Sequence, residues 1–135
     1  MENIEVPVKI KLAALWASVM FLYIYADYFG LYIPGRMQSM LNGKMGPFGP
    51  TTQGILLFTS VMMAIPSVMI FLFVALKPRW NRWLNIIFGV AYTLIIMRTM
   101  WDWWFYIFYG VIEITLTGLV VWYAWKWPVR ATAAV

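Results

Sequence analysis

The chain contains neither cysteine nor histidine. Those two absences exclude thiol–disulfide relays, histidine-ligated haem, most zinc sites and every nucleophile system built on either residue. No cofactor and no metal site are therefore expected. Charge is scarce as well, at 11% of residues, where a soluble domain carries roughly a quarter. So little charge cannot keep a folded surface in water. Carboxylates are the rarest groups, five against ten cations. The resulting +5 raises nucleic acid as a partner, but cations scattered between apolar runs form no continuous basic face. Nucleic acid is excluded on that ground, and the same cations at the ends of apolar runs meet the charge rule of membrane topology.

Hydrophobic sequence fills the space that charge leaves. At 64% hydrophobic over 135 residues, there is room for four spans of about 20 residues, each long enough to cross ~30 Å of hydrocarbon. The expected fold is an all-α integral membrane four-helix bundle, with residues 1–135 forming a single transmembrane domain. The lipid bilayer is its first partner.

The first apolar run extends from Leu12 to Ile33, preceded by Lys9 and Lys11 and stopped by Pro34-Gly35. It is too long for a signal peptide and no small-residue cleavage pattern follows it, so it is expected to stay in the mature protein. Residues 34–52 hold Gly43, Gly46, Pro47, Gly49 and Pro50 and read as an ordered loop over one end of the bundle. A short interfacial helix is expected from Arg36 to Leu41. The second span, Gln53 to Leu76, opens at Thr51 or Thr52 as N-cap and stops at Lys77-Pro78-Arg79. Pro66 near its middle deprives the Met62 carbonyl of its helix donor, with Thr59, Ser60 and Ser67 at hand to satisfy the backbone or mark a bend. The third span is read as Trp83 to Met100 and the fourth as Trp103 to Trp125, parted by the Arg98–Asp102 cluster. Gly89, Gly110 and Gly118 are expected where helices approach closely.

Lys9, Lys11, Lys77, Arg79, Arg82, Lys126 and Arg130 fall on one side of these spans, and Arg36, Lys44 and Arg98 on the other. The excess assigns the first side, with both termini, to the cytoplasm. The expected location is a cell membrane of the bacterial inner-membrane type.

Glu113 stands about ten positions into the last span, near the bilayer midplane at ~1.5 Å per residue. A carboxylate at that depth must be paired, hydrated or protonated, and must point into the bundle. Tyr109 and Thr117, four residues either side, share its face. Asp27 lies in the outer part of the first span, four residues after Tyr23, and is likewise expected to face inward. Arg98, at comparable depth on the third span, is the expected counter-charge of this acidic cluster.

Three readings remain open for Glu113, Asp27, Arg98, Tyr23, Tyr109 and Thr117. A buried ion pair can fix helix register; a membrane carboxylate can exchange a proton for a cationic substrate; an aromatic-lined pocket can bind an amphipathic ligand. The favoured function is binding or conduction of an unknown small ligand or ion through the outer half of the bundle. A non-catalytic accessory or scaffold subunit of a membrane complex is the alternative, and homo-oligomers suit both. No pair of groups suited to acid–base or nucleophilic work is identifiable, which argues against an enzyme.

The segments Tyr23-Ile-Tyr-Ala-Asp27, Ile65-Pro66, Asn81-Arg-Trp-Leu-Asn-Ile-Ile87 with Gly89, Tyr106-Ile-Phe108, Ile112-Glu-Ile114 and Trp122-Tyr-Ala-Trp-Lys-Trp127 carry a family resemblance. Across all four spans the chain resembles a set of bacterial four-span membrane proteins classed as a domain of unknown function, DUF6326. The resemblance implies a four-helix bundle without an assigned activity, and implies that Asp27, Asn81, Arg82, Trp83 and Glu113 belong to the shared pattern. The chain departs from that pattern at Ala64, where relatives carry an acidic residue, and around Arg98, where they are less charged. Arg98 is on this reading a private addition to the acidic cluster.

Overall fold

Pro7, with φ −58°, sets the backbone just ahead of the first helix, a place where its missing N–H costs nothing. In the computed structural model, which describes residues 5–127 apart from the side chain of Pro47, α1 runs over Val8–Gly30. It starts before the apolar run because Lys9 and Lys11 are sound helix formers. It ends before Ile33, where Leu31, Tyr32 and Ile33 each donate to the carbonyl three residues back. That tightening prepares Pro34, which pushes the residue before it out of the α region. Helix α2 occupies Arg36–Leu41, and a single 3₁₀ turn follows at Gly46–Phe48. Thr52 then caps α3, Gln53–Ala75, by accepting from the Ile55 N–H at 3.1 Å. Pro78 occupies the first turn of α4, Pro78–Thr99, and α5 covers Trp104–Lys126. The described residues contain no strand.

Helices α1, α3 and α5 are each long and apolar enough to cross a membrane. Helix α4 has nearly the same length, 22 residues, but carries Arg79, Asn81, Arg82 and Asn85 in its first two turns and Arg98 in its last.

The core explains how the helices assemble. On α1 the buried residues Leu12, Trp16, Val19, Tyr23, Ala26 and Gly30 recur every three or four positions, a single stripe along one face. That stripe meets α3 on one side and α5 on the other, α5 in turn packs on α4, and α3 and α4 touch only slightly. Met69 and Phe73 of α3, Tyr92 of α4 and Val120 of α5 complete the core. The other faces are strongly apolar yet exposed, with Phe21, Leu57, Phe71, Leu94 and Phe108 all pointing outward. A surface of this kind is suited to hydrocarbon.

At Gly89 a Cβ would stand 2.8 Å from Val121 Cγ2 and 3.4 Å from the Thr117 carbonyl, so the bare backbone is what lets α4 and α5 touch. Gly110 is crowded in the same way by Met100. Gly118 corrects the sequence expectation: nothing lies within 4 Å of the same position there, because this residue faces outward.

The carbonyl freed by Pro66 is satisfied from another helix. The Tyr92 hydroxyl of α4 donates to Met62 O, whereas Thr59 donates to Ile55 O or Leu56 O and Ser67 to Met63 O. Toward the end where α1 begins, a neutral chain ties three helices together. Trp16 Nε1 donates to Asn85 Oδ1 at 2.9 Å, Asn85 Nδ2 to Asn81 O at 2.7 Å, and Asn81 Nδ2 to Phe73 O at 2.8 Å and Leu76 O at 3.1 Å. Asn81 thereby satisfies carbonyls that the last turn of α3 leaves open.

Candidate functional site

Two ends of the bundle differ in chemistry. One gathers Lys9 and Lys11 at the start of α1, Lys77, Arg79 and Arg82 at the α3–α4 turn and Lys126 at the end of α5. Here Lys11 lies 5.4 Å from the Tyr123 ring centre, and Arg82 lies 5.5 Å from that of Trp125. The opposite, loop end carries α2 and the α4–α5 turn.

Glu113 sits on the inner face of α5 and is only 3% exposed. Its face is set by helical spacing, since Gly110, Thr117, Val120 and Ala124 are buried with it. Carboxylate oxygen Oε1 is buried and has no hydrogen-bond partner. Tyr23, 7% exposed on the stripe of α1, has a buried hydroxyl that is also without a partner. The two groups lie on the buried faces of α1 and α5, which pack against each other, and Asp27 is one turn beyond Tyr23 on α1. Helices α1 and α5 thus bring Tyr23, Asp27 and Glu113 into one neighbourhood.

Thr117, one turn beyond Glu113, is fully buried. Its hydroxyl donates to Glu113 O at 3.0 Å or shares a 2.6 Å hydrogen bond with Thr93 Oγ1 of α4. It binds helix to helix and leaves the carboxylate alone. Tyr109 lines a separate feature, an open groove of about 480 Å³ at the loop end. Its other walls are Phe29, Tyr32 and Ile33 next to Trp103, Phe105 and Phe108. Asp27 is exposed, which corrects the inward placement expected for it. It lies one position past Ala26, at the edge of the buried stripe and near the end of α1.

Arg98 requires a further correction. It is exposed in the last turn of α4 and forms no ion pair among the described residues, where the ion pair present joins Arg36 to Asp102 at 3.9 Å. Arg36 of α2 is the cation that reaches the cluster. Its Nη1 donates to Tyr106 Oη at 3.0 Å, its guanidinium lies 6.0 Å from that ring, and its charge acts on Asp27. The Tyr106 hydroxyl lodges against Gly30, where a Cβ would stand 2.5 Å away.

Sequence reading passed over Arg36, Tyr92, Trp16 and Asn85. Tyr92 had a signal: a proline-freed carbonyl needs a donor, and a tyrosine at the middle of a neighbouring span is a suitable one. Arg36 had none, since it counted only as a loop cation.

Among the described residues no group of three or more carboxylates is placed to hold a metal ion. The model of a family of unknown function, DUF6326, matches residues 4–134. No curated protein and no solved structure matches the chain.

Proposed function

We propose that this chain, which belongs to the DUF6326 family of unknown function, is a four-span membrane protein that binds or conducts a small ligand or ion between α1 and α5. The observation that carries the reading is that two of the four buried, unpartnered side-chain atoms of the described residues, Glu113 Oε1 and Tyr23 Oη, lie on the packed helices α5 and α1; the other two, Asn81 Oδ1 and Arg82 Nε, sit near the start of α4. A carboxylate inside hydrocarbon costs about 2.5–3.5 kcal/mol or more unless something completes it, and no side chain of the described residues bonds to Oε1. A proton, a cation, water or a guest must supply what the protein withholds. The register-fixing ion pair has less support, because Glu113 forms no ion pair among the described residues, and the neutral Trp16–Asn85–Asn81 chain ties the helices instead.

Helix α4 is the fourth span in this reading. At ~1.5 Å per residue its 22 residues match the hydrocarbon thickness, and its buried Asn81 and Asn85 are bonded to other helices. Its cations sit in its first two turns and its last turn, near headgroup depth. Six cations at one end, Lys9, Lys11, Lys77, Arg79, Arg82 and Lys126, against Arg36, Lys44 and Arg98 at the other, favour termini in the cytoplasm. Arg130 lies outside the described residues.

The natural absence of cysteine makes the test direct. Single cysteines are introduced at Ala26, beside Tyr23 and Asp27, and at exposed Leu57 and Val111 as lipid-facing controls. A water-soluble thiol reagent added to intact cells should label Ala26→Cys and leave Leu57→Cys and Val111→Cys untouched. Equal inertness at all three positions would mean a dry centre, and the accessory or scaffold reading would replace this one.

A further inference from the structure

We infer that the occupant of the Glu113–Tyr23 site is a small cation bearing hydrogen-bond donors, of the class of protonated amines. The inference rests on the binding reading above and adds to it the sign and chemistry of the guest. Sign comes first. Both acidic residues of the packed α1–α5 pair are carboxylates without an ion-pair partner among the described residues, Glu113 buried with Oε1 unpartnered and Asp27 exposed at the edge. The cations of the loop end are engaged or turned away: Lys44 and Arg98 are exposed, and Arg36 is held by Tyr106 and Asp102. An anion entering between α1 and α5 would meet the Glu113 carboxylate, which pairs with no cation among the described residues, and would gain nothing from Arg36, already committed at the loop end to Tyr106 and Asp102; that disfavours it where the dielectric is low.

The need for donors follows from what the walls lack. Glu113 Oε1 accepts nothing, and the Thr117 hydroxyl next to it spends its single proton on a backbone carbonyl or on Thr93. The Tyr23 hydroxyl brings one O–H at most, so a guest with several N–H groups fits a site richer in acceptors than in donors. Metal ions fit poorly: an alkali or divalent ion wants about six oxygens around it, and no three carboxylates come together among the described residues. An ammonium group is satisfied by fewer contacts and gains from aromatic faces. Tyr23 lies 6.3 Å from Tyr92 and Tyr92 lies 5.8 Å from Trp16, centre to centre, so such a surface flanks the site.

The chain already uses this chemistry at the mouth. Arg36, an N–H cation, combines a tyrosine ring, a tyrosine hydroxyl and a carboxylate there. The guest repeats that combination one step deeper, on Glu113 and Tyr23.

The test uses the Ala26→Cys protein in lipid vesicles, with two thiol reagents of similar size: 2-aminoethyl methanethiosulfonate, which is cationic, and 2-sulfonatoethyl methanethiosulfonate, which is anionic. Rates are divided by those of a free thiol in water and corrected by the Val111→Cys control. The cationic reagent should react at least tenfold faster, and Glu113→Gln should bring that ratio close to one. Butylammonium chloride should slow the labelling, while sodium butyrate at equal ionic strength should not. The exposed Asp27→Asn change gives a second, structurally mild variant, expected to reduce the ratio in part. Equal corrected rates for the two reagents would overturn the cation assignment while leaving the binding site standing. A ratio insensitive to both substitutions would overturn it too. No reaction with either reagent would remove the site itself and the inference with it.

Discussion

A hydroxyl proton is all that separates tyrosine from phenylalanine, and at position 92 it decides the state of the Met62 carbonyl. Pro66 lacks the N–H that would bond this carbonyl, and in hydrocarbon no water replaces it. Tyr92 fills the gap from α4 while its ring stays in the core against Trp16 and Tyr23. Tyr92→Phe should therefore keep the packing and lose the bond, lowering stability by about 1–3 kcal/mol. Unfolding in mixed micelles with increasing denaturing detergent would measure it. Pro66→Ala restores the missing N–H, so in that background the same Tyr92→Phe change should cost clearly less. An equal cost in both backgrounds would show that the hydroxyl serves another group. Residue-scale chemistry was only partly legible from sequence. The orphaned carbonyl followed from Pro66 alone, and the inward burial of Glu113 followed from its depth. Which side chain answers either of them depends on how each helix is rotated about its axis, so Arg98 was named where Arg36 stands.

Elements were easier to read than their partners, since helix limits are written in local chemistry. Thr52 caps α3, Pro78 starts α4, and turn-rich residues after Gly35 confine α2 to a single short piece. Where α1 really starts was less legible, because Lys9 and Lys11 mark the end of the apolar run without ending the helix. Contact between elements hides in small residues whose direction has no signal along the chain. Gly89 and Gly118 look alike in sequence, yet one is pressed against Val121 and the other meets open space. The pair makes a matched experiment on the α4–α5 seam. Gly89→Ala must move Val121 or part the helices, and overpacking of that kind costs about 1–3 kcal/mol. Gly118→Ala should be neutral or slightly stabilising, by up to about 1 kcal/mol, since alanine is the better helix former. Thermal unfolding of both variants in one detergent would rank them, and a Gly118 variant as damaged as the Gly89 variant would show that the outward face of α5 is covered.

On the scale of the whole molecule, the distribution of charge and the packing point the same way. The basic end collects six cations, with Lys11 and Arg82 laid over aromatic rings, while the loop end holds Asp27, Asp102 and the Arg36 clasp. Alternate helices run in opposite directions, so an even number of crossings returns the chain to the side on which it began. Helix α4 decides whether the number is even. It is the least apolar of the four long helices, and it carries Asn81 and Asn85 near its start. Both are buried and their amide groups are hydrogen-bonded to α1 or α3, so these polar groups near its start face protein, while Ile87, Val90 and Leu94 are exposed on the other side. The prediction is that single cysteines at Ser39 and Trp101, both at the loop end, are labelled by an impermeant thiol reagent on intact cells. Cysteines at Arg79 and Lys126 should react only after the cells are opened. If α4 lay along the membrane surface, α3 and α5 would still cross and Trp101 would fall on the same side as Arg79. Labelling of Trp101→Cys and Arg79→Cys under the same condition would therefore leave three crossings. It would also take from Glu113 the α4 contact through Thr93 and Thr117 that closes the bundle behind it.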